Sequence, residues 1–160
     1  MMLRILLTAI VLLFALSPAS AGTLEPRDGW VVIATHQSFT ALSNRLDAAV
    51  KFEKMGLVTS ASASAGAKAA GITIPGNRVV GVFSNDFARR MLSASIAAGI
   101  EAPIRFYLTE NPDGTATLSY KTPSFVFSPY FGEGKDALRE LAKELDAIFA
   151  RIANRATQDK

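Results

Sequence analysis

The stretch IRFYLTENPDGTATLSY, residues 104–120, predicts a β-hairpin. Two runs rich in apolar, aromatic and β-branched residues, at 104–109 and 115–120, flank Asn111-Pro112-Asp113-Gly114. Proline presets the backbone of a turn and glycine tolerates a positive φ, so this tetrapeptide favours a tight connection between two antiparallel strands.

Strands and helices alternate through the chain before this hairpin. Short apolar runs predict strands at residues 30–35, 57–62 and 78–83. Three helices are predicted after them: one capped by Ser38 and ended by Gly56, a short Ala-rich one within residues 60–70 ended by Gly71, and one capped by Ser84 or Asn85 and ended by Gly99. The inward stripe expected of the third helix is Phe87, Ala88, Met91, Leu92, Ser95 and Ile96.

Two segments follow the hairpin. We expect residues 125–130 either to extend the sheet or to cover it. The final segment predicts an amphipathic helix, because apolar residues recur there at the spacing of one helix face: Leu138, Leu141, Ala142, Leu145, Ile148, Phe149 and Ile152. The resulting order β-α-β-α-β-α-β-β-α predicts an α+β or α/β sandwich in which helices pack on a mixed sheet.

The composition excludes several classes of protein. The 160 residues include no Cys and one His, so the chain lacks the ligands of a disulfide scaffold, a thiolate metal site or an all-histidine zinc site. A cysteine nucleophile is excluded for the same reason. The 49% content of hydrophobic residues and the net charge of +3 exclude a disordered chain. Basic residues do not cluster, so we expect no nucleic-acid partner.

The first 21 residues have the pattern of a secretory signal peptide. Arg4 precedes an apolar run at residues 5–16, and Ala19-Ser20-Ala21 is a small-x-small cleavage sequence. This run is shorter than the roughly 20 residues that a membrane span needs. We therefore expect cleavage after Ala21 and a single periplasmic or secreted domain, residues 22–160, without a transmembrane span. An uncleaved anchor is the alternative.

Four short motifs follow one another between residues 31 and 156: Ile74-Pro75-Gly76-Asn77, Phe83-Ser84-Asn85-Asp86, Ala102-Pro103-Ile104-Arg105 and Leu118-Ser119-Tyr120. In this order they resemble the domain of unknown function 302 family, and Tyr120-Lys121-Thr122-Pro123 matches its Tyr-x-x-Pro motif. An Asp-His pair common in that family is replaced by Ala61-Ser62. The resemblance implies a compact α/β domain that often forms dimers, and it implies a fold rather than an activity.

One candidate ligand site lies where the third predicted helix begins. Asn85 and Asp86 stand at a strand-to-helix junction, where free backbone N–H groups can hold a polar ligand. A plain helix cap is the alternative, because Asn and Asp are preferred capping residues.

A second candidate site lies on the hairpin. Arg105 and Tyr107 share one face of a strand, with Ser119, Tyr120 and Tyr130 expected nearby. Together with apolar walls from Phe83, Phe125 and Phe127, these side chains have the composition of a small-ligand pocket. Ordinary cross-strand packing is the alternative. We expect the two candidate sites to converge on one hollow.

The function predicted from these residues is the non-catalytic binding of a small amphipathic molecule or of a partner. Two alternatives stay open: a hydrolase-like enzyme with Asp86 or Glu101 as general base and Arg105 holding substrate, and a purely structural dimerisation module. His36 is expected to be a surface or capping residue rather than a haem ligand or a base. The charged face of the last helix does not predict a metal site, and the sequence does not identify a cofactor.

Overall fold

The structure, a computed structural model, describes residues 24–158, so the predicted leader and its cleavage site lie outside the described residues. The predicted α+β class and order of elements are confirmed. The elements are β1 (Trp30–Ser38), α1 (Phe39–Phe52), β2 (Gly56–Ala61), α2 (Ala63–Ala69), β3 (Asn77–Phe83), α3 (Asn85–Ala94), β4 (Ile104–Glu110), β5 (Thr115–Lys121), α4 (Pro123–Phe127) and α5 (Phe131–Thr157), with 3-10 turns at Ala97–Glu101 and Ser128–Tyr130.

The five strands form one sheet in the order β1-β5-β4-β3-β2. Every neighbouring pair is antiparallel. The expectation of a mixed sheet is therefore wrong. The predicted hairpin β4–β5 lies near its middle, and its turn is closed by a hydrogen bond of 2.8 Å from the Asn111 N–H to the Thr115 carbonyl. Gly114 has a φ of +81°, which is why the turn needs a residue without a side chain at this position.

Helices α1, α3 and α5 cover one face of the sheet. Alternate residues of the strands turn towards them, and on β4 and β5 these residues are Ile104, Phe106, Leu108, Leu118 and Tyr120. The ring of Phe106 stacks on the ring of Phe149 from α5 with 4.7 Å between their centroids. Of the apolar stripe predicted for the last helix, all residues are buried except Ile148, which is partly buried. The core therefore lies between this face and the helices.

Two helix ends differ from the predictions. Ser38 caps α1 as expected, its hydroxyl accepting from the Ala41 N–H. However, α1 ends at Phe52 rather than at Gly56, because Lys54 takes the left-handed conformation (φ +58°) and Gly56 already belongs to β2. Helix α3 ends at Ala94, and Gly99 lies inside the 3-10 turn that follows.

The inward stripe predicted for α3 is wrong at its end. Ser95 has an extended backbone (φ −154°), which breaks the helix and rotates the following residues out of the predicted stripe. As a result Ile96 is 82% exposed. Leu92 lies before the break, inside α3, and is also outside the buried stripe at 46% exposed, whereas Met91 and Ser95 are buried. Residues 125–130 form the end of α4 and a 3-10 turn instead of a strand, since Pro123 begins a helix there.

Among residues 24–158, no helix has the length and apolar content of a membrane span.

Candidate functional site

The face of the sheet opposite α1, α3 and α5 carries the candidate site, and we call it the open face. Directly paired residues of neighbouring strands point to the same face, so the strand register defines it. One row of paired residues crosses all five strands: Ala61, Val79, Tyr107, Ser119 and Val32. The sequence prediction that Arg105 and Tyr107 share a face therefore holds, and that face is the open one.

A cleft of about 490 Å³ lies on the open face. This volume falls within the range of sites that bind small molecules. Apolar and aromatic side chains form most of its wall, among them Trp30, Val79, Tyr107 and Val126. Its charged lining residues are Arg105, Lys121 and Glu101.

Two cations stand side by side in this cleft. Phe106 pairs with Tyr120 in the β4–β5 register, so the next residues along, Arg105 and Lys121, lie directly opposite each other on the open face. Both side chains are exposed. Within residues 24–158, Arg105 forms no ion pair and no side-chain hydrogen bond, while the Lys121 ammonium lies 5.7 Å from the centre of the Trp30 ring.

Glu101 is the acidic residue of the cleft wall, and it is engaged by a tyrosine. The Tyr130 hydroxyl donates a hydrogen bond of 2.9 Å to a Glu101 carboxylate oxygen. This bond, followed by partial burial and the negative charges of Glu101 and Glu133, raises the pKa of Tyr130. Neither Arg105 nor Lys121 comes within ion-pair distance of a carboxylate in the part of the chain that the structure describes.

The other residues predicted for this site are less directly involved in the cleft. Ser119 is fully buried beneath the cleft and its hydroxyl lies 3.4 Å from the Tyr107 carbonyl. Tyr120 borders the cleft, but its ring packs in the core against Phe106 and Phe149. This burial raises the pKa of Tyr120. Tyr130 reaches the site only through Glu101.

The expectation of one shared hollow is wrong, because Asn85 and Asp86 lie elsewhere. Both are exposed at the start of α3, which packs against α5 on the helical side of the sheet. Asp86 binds Arg89 at 3.2 Å and lies 3.8 Å from a nitrogen of Arg90. Its carboxylate borders a separate hollow between α3 and α5. Whether these two residues bind a ligand of their own stays a prediction.

The predicted aromatic walls are also elsewhere. Phe127 is buried in the core, where it shares with Phe83 a small apolar hollow of about 30 Å³. Phe125 is 43% exposed and its ring covers Gly29. The actual walls include Trp30 and Val79, which sequence reasoning did not select. Only the strand register shows that Trp30 pairs with Lys121.

His36 is exposed towards the end of β1 and away from the cleft. No group of three or more His, Asp or Glu side chains within residues 24–158 is arranged to hold a metal ion.

Comparisons with known proteins give a family and a fold. A family model described as domain of unknown function DUF302 matches residues 31–156. No curated protein matches the chain. Among solved structures, it is similar to the crystal structure of an uncharacterized conserved protein DUF302 from Bacillus stearothermophilus, with a TM-score of 0.70 and 17% sequence identity. The alignment covers 81% of this chain and 99% of that chain. At this level of identity the likeness shows the fold.

Proposed function

Because the chain belongs to the DUF302 family, whose description assigns no activity, we propose a function from the geometry. The protein is an exported, non-catalytic domain that binds a small amphipathic molecule in the cleft on the open face of its sheet. The observation that carries this proposal is the cleft itself, in which cations adjoin aromatic and aliphatic walls. Export is supported by the leader pattern of residues 1–21.

The composition of the cleft fits binding better than catalysis. Small-molecule sites are mostly apolar with a few polar groups that fix the orientation of the ligand. Here Trp30, Val79 and Tyr107 supply the apolar surface, and Arg105 and Lys121 supply the polar groups. The flat rings of Trp30 and Tyr107 can pack against apolar ligands of different shapes.

The enzyme alternative would need a general base beside Arg105. Asp86, one of the two candidate bases, lies on the helical side of the sheet and is paired with Arg89. Glu101, the other, borders the cleft but accepts the hydrogen bond of Tyr130. The enzyme alternative therefore rests on Glu101 alone, whose second carboxylate oxygen is the one left to accept a proton from a substrate held at Arg105.

Calorimetric titration tests the proposal with two probes of the same shape, sodium naphthalene-2-carboxylate and the neutral naphthalene-2-carboxamide. We expect the wild-type protein to bind at least one of them. We expect Val79→Phe, which adds a ring to the cleft wall, to weaken binding. Val58→Phe is the matched control, because Val58 is exposed on edge strand β2 and does not line the cleft.

Three outcomes would overturn the proposal. The first is that neither probe binds to the wild-type protein. The second is that Val79→Phe and Val58→Phe bind as well as the wild type does. The third is turnover of a substrate panel that is lost on Glu101→Gln while the fold stays intact, which would favour the enzyme. A native mass spectrum of protein isolated from the periplasm adds a further test, since a co-purifying small molecule supports binding and a bare dimer favours a structural module.

A further inference from the structure

We propose that the ligand of the cleft carries a carboxylate, which is held between Arg105 and Lys121, and that this pair of cations determines the specificity of the site. The inference rests on the proposed function, because it names the class of molecule that the cleft binds. It follows from the strand register, the lack of counter-charges and the shape of the walls.

The register places two like charges directly opposite each other. Such cross-strand pairs destabilise a sheet, whereas pairs of opposite charge stabilise it. Arg105 and Lys121 occupy adjacent central strands, and both belong to one row with Gly81 on one side and Trp30 on the other. Gly81 has no side chain that could neutralise a charge, and Trp30 has no charge.

A third cation increases the positive potential at this end of the cleft. The guanidinium of Arg27 lies 5.2 Å from the centre of the Trp30 ring, which the Lys121 ammonium also approaches. None of these three cations has a carboxylate within ion-pair distance in the described part of the chain. The carboxylate that borders the cleft, Glu101, accepts the hydrogen bond of Tyr130. Arg105 and Lys121, with Arg27 beside Trp30, outnumber this one carboxylate, so the site carries a net positive charge and is complementary to an anion.

The two cations suit a carboxylate in particular. A guanidinium presents two parallel N–H donors that match the two oxygens of a carboxylate, and an ammonium adds a point charge. Trp30 and Tyr107 stand on β1 and β4, which are two strand spacings or about 10 Å apart. Together with Val79 they give the cleft an apolar surface against which the apolar part of a ligand can pack. The ligand class is thus an aromatic or aliphatic monocarboxylate.

The naphthalene pair tests this inference, because the carboxylate and the carboxamide differ mainly in charge. We expect wild-type protein to bind the carboxylate at least about tenfold more tightly, as one charge-assisted contact is typically worth that factor or more. Arg105→Gln and Lys121→Gln should each reduce this preference. Lys143→Gln, which removes an exposed cation on α5, should leave it unchanged.

The charge reversal Arg105→Glu gives an independent readout without ligand. It places a carboxylate opposite Lys121, so we expect the midpoint of thermal unfolding to rise by about 1 to 4 °C at low salt. The same substitution should abolish the preference for naphthalene-2-carboxylate. A variant that gains stability while it loses this preference would show that the pair of cations destabilises the sheet and contributes to binding of the carboxylate.

The two proposals fail in different ways. Equal affinity of wild-type protein for both probes leaves the binding function standing and overturns the inference. A carboxylate preference that survives in both Arg105→Gln and Lys121→Gln also overturns it. An unchanged or lower midpoint for Arg105→Glu contradicts the claim of cross-strand repulsion. Failure of both probes to bind overturns the proposed function itself.

Discussion

Arg105 and Lys121 stand directly opposite each other on β4 and β5, one residue away from the paired rings of Phe106 and Tyr120. The alternation of side chains along each strand sends the rings into the core and the cations onto the open face. The same pleat thus builds the interior on one side and the charged end of the cleft on the other. A shift of one residue in this register would exchange the two sets.

The stack of Phe106 on Phe149 predicts a large loss of stability on truncation. Phe149 is 1% exposed and joins α5 to the sheet, so Phe149→Ala should lower the free energy of unfolding by about 3 to 5 kcal/mol. Urea denaturation measures the change. Phe52→Ala is the control, since Phe52 is 63% exposed and should cost less than about 1 kcal/mol. Equal costs for both variants would contradict this account of the core.

Any side chain added at Gly29 would clash with the ring of Phe125. Gly29 has a φ of +74°, and a Cβ built on it would lie 2.1 Å from the Phe125 ring. Gly29→Ala should therefore destabilise the protein by about 1 to 3 kcal/mol. Gly66→Ala should be neutral or stabilising, because Gly66 lies within α2 and no atom stands within 4 Å of its added Cβ. If thermal unfolding shows the same midpoint for the two variants, the ring does not lie over Gly29.

The ion pair of Arg90 and Glu144 predicts a pH-dependent contribution to stability. Two hydrogen bonds of 2.8 and 2.6 Å join the groups, and the Arg90 guanidinium lowers the pKa of Glu144. Both groups are exposed, so Glu144→Gln should cost only about 0.2 to 1 kcal/mol at neutral pH.

The sign of the pH effect follows from the lowered pKa. The stabilisation is present above the ordinary Glu pKa of 4.5 and is lost as the pH falls through the lower, folded-state value. Urea titrations of the wild type and Glu144→Gln should therefore converge in acid. A difference that is constant between neutral and acid pH would show that the ion pair is not its source.

If residues 1–21 are a cleaved leader, as their sequence predicts, the exported protein has a defined mass. Protein expressed with all 160 residues and recovered from the periplasm should begin at Gly22. Intact-mass measurement distinguishes this product from the full chain. Ala21→Arg should block cleavage, because a large charged residue does not fit the small-residue cleavage pattern. Full-length protein in the cytoplasm would contradict export.

Local chemistry was sufficient to predict the elements whose patterns are strongest. The hairpin follows from Asn111-Pro112-Asp113-Gly114, and α5 follows from the spacing of Leu138, Leu141 and Leu145. The end of α3 was missed because Ile96 continues the helical spacing, while the extended backbone of Ser95 interrupts it. The helix propensities of these residues do not predict such a break.

The candidate site was predictable only in part. Period-two alternation places Arg105 and Tyr107 on one face without any knowledge of the fold. Trp30 and Lys121 lie far apart in the chain, and only the pairing of β1 with β5 brings them together. The sequence does not show which face of the sheet the helices cover. For this reason it could not separate Asn85, on the helical side, from Arg105 on the open face.

Nitrogen-15 NMR during titration with sodium naphthalene-2-carboxylate tests the central claim most directly. The chain has one Trp, so a single indole N–H signal reports on Trp30 in the cleft wall. We predict that this signal and the backbone amides of Arg105, Tyr107 and Lys121 shift with one common dissociation constant. Shifts confined to α3 and α5, or an indole signal that does not move at saturation, would contradict binding on the open face.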